Sequence, residues 1–179
     1  MSGPDWLREK LFERRIVMLT GPLDHALAAQ VQAQLLALDA PDAEPIVLHV
    51  DSADGALAAA FVVMDAMDAL SAPVHALCRG RIGGASLGVV ASAARRTATP
   101  HARFRLSQPR SRFSGTPDEI AARSREQQDL MWRLHARLAR ATGRPAEEVA
   151  EDLRRGRFLD ANEALAYGLV EEVLTSSAS

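Results

Sequence analysis

Cysteine is almost missing from this sequence. Cys78 is the only one in 179 residues, which excludes an intramolecular disulfide and any metal site built from clustered thiolates. Long apolar runs are missing too. No stretch approaches the ~20 residues of a membrane-spanning helix, and no basic segment followed by an apolar one opens the chain. The cytoplasm is therefore the expected compartment and no membrane partner is expected. Excess charge of one sign is also lacking. The formal net charge is −2, which argues against a general nucleic-acid binder, because a polyanion selects a basic surface. There is no repeat at a solenoid period and no low-complexity linker. No spacing of His, Asp and Glu matches a metal site, and no cofactor is expected.

What remains is the make-up of an ordinary globular domain: 47% apolar and 25% charged residues. The length suits a single domain over 1–179, one that buries roughly 70% of its unfolded surface. Trp6 to Arg14 reads as a short amphipathic helix, with Trp6, Leu7, Leu11 and Phe12 on one side. An α/β core follows over about 15–110. Its expected strands are Ile16–Leu19, Ile46–Val50, Val74–Leu77 and Phe104–Leu106, each short, apolar and bounded by turn residues. Its expected helices are Leu23–Leu38, broken by Ala40–Pro45, then Ala56–Leu70 with Phe61, Met64, Met67 and Leu70 inward, then Val89–Ala94. Alternation of strands with helices predicts an α/β fold with a largely parallel sheet.

The last third is more helical. Thr116-Pro117-Asp118-Glu119 is a capping box with proline at the first helical position. The helix it opens covers about 116–142 and stops at Gly143, with Pro145 beyond. It is roughly twice the average helix of about 11–12 residues. Its apolar positions Ile120, Leu130, Met131, Leu134 and Leu138 cannot all be buried on a flank that also presents Trp132. Surplus apolar surface predicts that the chain assembles through this helix. Over 143–179 come a helix from Pro145 to Arg155 ending at Gly156, a helix capped by Asp160 with Glu163, and a closing strand after Gly168.

The stretch with chemical character is Cys78 to Gly88, C-R-G-R-I-G-G-A-S-L-G. A Gly-rich turn from a strand into a helix offers backbone N–H groups to a nucleophile, an oxyanion or a phosphate. Around it, ordered motifs span nearly the whole chain: Glu13-Arg14-Arg15-Ile16-Val17, Asp51 to Gly55, Pro100-His101-Ala102-Arg103, Gln108-Pro109, Arg157-Phe158-Leu159, Glu163-Ala164 and Tyr167-Gly168-Leu169-Val170. Together they resemble the ClpP family, the proteolytic subunits of ATP-dependent Clp proteases. The resemblance implies a ClpP/crotonase-type fold of repeated β-β-α-like units, with a protruding "handle" helix. It also implies heptameric rings that stack into a hollow barrel.

The family's catalytic serine sits in a motif resembling G-Q-A-A-S-M-G. Aligning Gly80 with its first glycine, without gaps, brings Gly84 to the serine position. The family's histidine precedes Gln-Pro, and here that residue is Ser107; its aspartate precedes Arg-Phe, and here that residue is Gly156. These three are therefore expected to cluster with no intact triad among them. Loss of one essential member in such machines costs on the order of 10⁶ in rate. Shifting the register to Ala85-Ser86-Leu87-Gly88 makes Ser86 the fallback nucleophile; its other reading is a small residue in the first turn of a packed helix. His25, His49, His75, His101 and His135 are the conceivable bases, each with a plainer role in a strand, loop or helix. Gly55 and Ala85 stand at the oxyanion-hole-equivalent positions, but Ser52-Ala53-Asp54-Gly55 brings an acid where developing negative charge would be repelled. After Gln-Pro the family is Gly-rich, whereas this chain has Arg110-Ser111-Arg112, read as solvated loop arginines or as a basic patch.

The resemblance further places Glu119 and Arg155 at oligomer interfaces, and the surplus apolar surface of the long helix adds Leu130, Leu134 and Leu138. Arg154 stands where the family has an acid, which removes the usual ring-to-ring ion pair and makes a single ring the alternative to a stacked one. Ahead of the first helix there is only Met1 to Asp5, where the family carries a longer segment that meets an AAA+ unfoldase, so unfoldase docking is not expected. The leading expectation is a ClpP-like, catalytically inactive ring subunit, either a homo-oligomer or a structural and regulatory partner of active ClpP-type subunits. Two alternatives stand beside it: an active Clp-type serine endopeptidase using Ser86 or another base, and a crotonase-like acyl-CoA binder.

Overall fold

Three short strands carry the core by simple alternation. In β1 (Ile16–Thr20), β2 (Ile46–Asp51) and β3 (Val74–Cys78), every second side chain is buried. Val17, Leu19, Ile46, Leu48, Val50, Ala76 and Cys78 form the covered face. Met18 is exposed, and Val47, His49, His75 and Leu77 are half-buried on the other face. The computed structural model describes residues 5–41 and 44–175. Residues 1–4, and Asp42 and Ala43 of the expected helix break, lie outside the described residues.

The strands pair in parallel, with Ile16 opposite Val47 and Val47 opposite His75. Two more parallel strands, β5 (Arg95–Ala98) and β8 (Glu172–Val173), complete a five-stranded sheet of order β1-β2-β3-β5-β8. A second sheet joins β4 (Arg81–Gly83), β6 (Arg103–Arg105) and β7 (Phe158–Asp160), with β4 parallel and β7 antiparallel to β6. The fold is thus α/β with a mainly parallel central sheet. β4, β5 and β7 are too short to show periodicity and exist through their neighbours.

Among the described residues there are seven helices: α1 (Asp5–Glu13), α2 (His25–Leu38), α3 (Leu57–Ala69), α4 (Ser86–Ser92), α5 (Pro117–Thr142), α6 (Ala146–Arg155) and α7 (Ala161–Tyr167). α2 begins two residues later than its apolar pattern suggests, because the Asp24 carboxylate caps it by accepting from the Leu27 N–H at 2.8 Å. α4 begins three residues earlier than expected, at Ser86. The turn into α4 is therefore tighter than the Gly-rich stretch implies. Among the described residues, no helix is long and apolar enough to cross a membrane.

α5 has 26 residues, so it extends roughly 39 Å at 1.5 Å per residue. Both ends are as expected: the Thr116–Glu119 capping box is formed, and Gly143 closes the helix at φ 71°. From 117 to 129 no residue is fully buried, and only Ser124 and Gln127 are half-buried. Leu134 and Leu138 are fully buried in the chain's own core. This corrects their expected place at an oligomer interface, because both pack inward before any partner is considered. A Cβ at Gly88 would lie 2.7 Å from Leu134 Cδ1 and 2.9 Å from Met64 Sδ, so glycine lets α3, α4 and α5 close on one point. Arg137 of α5 then grips Asp68 of α3 with two hydrogen bonds, of 2.9 and 2.5 Å.

Leu134→Ala removes a fully buried side chain, and urea unfolding should register a loss of about 2–5 kcal/mol. The Arg137 hydrogen bonds hold the Asp68 carboxyl below its ordinary 3.8. A depressed folded-state value stabilises above the unfolded one and ceases to do so as pH falls through the folded one. Arg137→Gln should therefore be less stable than the parent at pH 7, with the gap closing below about pH 4. A gap that stays constant from pH 7 to 3 would rule this coupling out.

Candidate functional site

The C-terminal end of β2 releases a loop that presses against the turn leaving β4, the short strand after β3. Such ends are where open parallel sheets form ligand crevices. The loop after β2 is Ser52-Ala53-Asp54-Gly55; the other is the Gly83-Gly84-Ala85 turn between β4 and α4. The Gly83 N–H donates to the Ser52 carbonyl at 3.0 Å. The Ser86 hydroxyl lies 2.5 Å from that same carbonyl and 2.8 Å from the Gly83 carbonyl, so its single proton serves both. It also accepts from the Gly83 N–H at 3.3 Å. A Cβ at Gly83 would stand 2.9 Å from the Ala53 carbonyl oxygen, so only glycine allows this approach.

Ser86 is completely buried. Its hydroxyl is consumed in tying the loops, and it does not face the cleft described below. Gly84 occupies the apex of the turn with φ +56°, and the nearest atom to a Cβ there would be Asp54 Oδ1 at 3.8 Å. There is space for a side chain at that point, though on left-handed backbone. The Gly55 N–H donates to the Asp54 carboxylate at 2.8 Å. Thus a negatively charged oxygen of the chain itself already sits on the donor expected to serve an oxyanion. Ala85, the second such position, is fully buried.

Beside this loop opens a cleft of about 740 Å³. Its walls are Ala53 and Asp54, then Arg105 with Ser107 to Arg112, then Leu153 to Gly156. The walls are clipped together by backbone: the Leu106 N–H donates to the Arg157 carbonyl at 2.8 Å and the Gln108 N–H to the Leu153 carbonyl at 3.2 Å. Ser107 and Gly156 therefore line one cleft. Gly84 is not in its lining, but Asp54, its nearest neighbour, is. Gly156 ends α6 in the left-handed conformation, φ +74°, its N–H returning to the Asp152 carbonyl at 3.1 Å.

No histidine lines the cleft. His25 and His101 are exposed, His135 is buried on α5, and His49 and His75 lie on the central sheet. Burial pushes His135 below the usual imidazole range; burial and then the Arg79 charge do the same to His49. Cys78 is no substitute nucleophile, since burial raises its thiol to about 12. Among the described residues, no three of His, Cys, Asp and Glu converge as metal ligands.

The cleft is instead basic, lined by Arg105, Arg110, Arg112, Arg154 and Arg155 against the single acid Asp54. The Arg110–Arg112 stretch stands out in the sequence; Arg105 does not, because β6 reaches the site only through pairing in the second sheet. The contact between Asp54 and the Gly55 N–H depends on a side-chain rotamer that spacing cannot show. Of the expected interface residues, Glu119 is engaged in its capping box, Arg155 pairs with Glu151 at 2.6 Å and Leu130 is half-buried.

The family model for Clp protease matches residues 5–177.

Ser86→Ala leaves buried carbonyls short of a donor. It should cost about 1–3 kcal/mol in urea unfolding, with no effect on chemistry in the cleft. Unchanged stability would show that the hydroxyl does not hold the two loops.

Proposed function

The chain belongs to the Clp protease family, and from that membership we propose that it is a non-hydrolysing ring subunit of a Clp-type assembly. One observation carries the reading: an Asp54 carboxylate oxygen sits 2.8 Å from the Gly55 N–H, where a peptidase would stabilise an anion forming on its substrate. Such stabilisation is commonly the largest single contribution to catalysis, and a resident anion reverses its sign. The family's serine, histidine and aspartate positions hold Gly84, Ser107 and Gly156, which supply no nucleophile, no base and no orienting acid. Ser86 is a poor alternative because its hydroxyl is buried and already bonded.

Assembly is supported by surface that the chain leaves uncovered. Parallel sheets ordinarily have both faces packed. Here the face bearing Met18, Val47, His49, His75 and Leu77 is only half-covered. The free half of α5 presents Ile120, and Trp132 beyond it is 57% exposed. A ring of copies, or a mixed ring with active subunits, supplies the missing cover in the cytoplasm. Arg154 and Arg155 both pair with Glu151 inside this chain, which supports a single ring over a stacked pair.

Purified protein should neither cleave short fluorogenic peptides nor take up a fluorophosphonate probe, and Gly84→Ser alone should not change this. Probe labelling that vanishes in Ser86→Ala would overturn the non-hydrolysing reading. Light scattering at low micromolar concentration should give a multiple of the 19.3 kDa subunit; a monodisperse monomer would overturn the ring.

A further inference from the structure

The cleft gathers more positive charge than it neutralises. Arg110 and Arg112 line it and take part in no ion pair among the described residues. Arg105 lies 5.3 Å above the Phe158 ring, which orients its guanidinium but leaves its charge uncompensated. Arg154 and Arg155 share the one carboxylate of Glu151. Asp54, the acid in the lining, is turned back onto its own loop by the Gly55 N–H. The chain as a whole has a net charge of −2, so this convergence is local. Unpaired guanidiniums around one concavity focus a positive field and match carboxylates or phosphates two-pronged.

A second property belongs to the same wall. From Pro109 to Phe113 the backbone makes no hydrogen bond among the described residues, although Leu106 and Gln108 immediately before are clipped to Arg157 and Leu153. The segment therefore offers free N–H and C=O groups alongside its two arginines. Backbone of that kind can pair with an extended peptide, while alternate side chains fall into flanking pockets. Arg110 and Arg112 are separated by one residue, so alternate acidic side chains of such a peptide meet them in turn. Compact oligophosphates would use the guanidiniums but leave these backbone groups unpaired.

We propose that this cleft is a recognition site for an acidic peptide segment, bound along residues 109–113 through Arg110, Arg112 and Arg105 and not cleaved. The proposal rests on the reading of the cleft as non-hydrolysing. The two fail separately, because binding and cleavage are measured apart.

The test is fluorescence anisotropy with the full chain and a labelled peptide carrying glutamate at alternate positions, followed by chromatography of the recovered peptide. Saturable binding is expected, roughly tenfold or more tighter than for the glutamine-substituted peptide, weakening as salt rises. Arg110→Gln and Arg112→Gln, both at exposed positions, should each weaken binding about fivefold to tenfold. Arg133→Gln, on the exposed face of α5, should change it by less than about twofold. Equal affinity for the glutamate and glutamine peptides, or no effect of either cleft variant, would overturn the site. Sodium triphosphate binding more tightly than the peptide and displacing it fully would reassign the site to phosphate and overturn the peptide. Recovery of cleaved peptide with normal binding would overturn the non-hydrolysing reading alone.

Discussion

The bond between the Ser86 hydroxyl and the Ser52 carbonyl is the contact on which the site depends. It joins the loop leaving the central sheet to the turn that carries the second sheet into α4. Two further constraints act at the same spot. Gly83 lets the Ala53 carbonyl approach to a distance that any Cβ would block. The Asp51 carboxylate accepts from the Arg81 N–H at 3.0 Å, beneath Gly80 at φ +60°. Removing any of these would free the loop holding Asp54, and the position of Asp54 decides what the neighbouring backbone can bind. A serine that resembles a nucleophile in sequence is here a structural tie.

The electrostatics of the cleft follow from the same arrangement. Asp54 could have neutralised an arginine; the Gly55 N–H, one residue away, claims it at lower entropic cost because no long side chain must be ordered. The arginines from β6 and from the segment after Pro109 are left without a carboxylate, and the two at the end of α6 share Glu151. Repulsion among exposed guanidiniums is tolerable in water and salt, which explains how the fold sustains them. An anion entering would remove that repulsion and add charge-assisted hydrogen bonds.

Much of the fold is legible in the sequence because it is encoded locally. Thr116 with Glu119, Asp160 with Glu163, and Gly143, Gly156 and Gly168 mark helix ends by their own stereochemistry, and each does so in the structure. The alternation in β1 to β3 is legible for the same reason. The three-residue strands β4 and β7 are not, since their extended conformation comes from partners far along the chain. Leu134 and Leu138 are misread from sequence alone: periodicity marks them as apolar, but whether they face the chain's own core or a neighbour depends on Gly88, more than forty residues earlier. At the site, the residue types at Gly84, Ser107 and Gly156 are plain to see. The carboxylate resting on the Gly55 N–H is not, because it depends on where two loops meet.

The half-covered face of the central sheet has a consequence for supply. Covering it by association adds to the subunit's stability by RT ln(1 + [partner]/Kd), so folding and dosage become linked quantities. At low abundance the subunit would display Met18 and its half-buried neighbours, the kind of surface that chaperones and degradative quality control detect. On the ring reading proposed above, matched synthesis with the partner that covers that face would be a condition of persistence in the cell, set by five side chains on one side of a sheet.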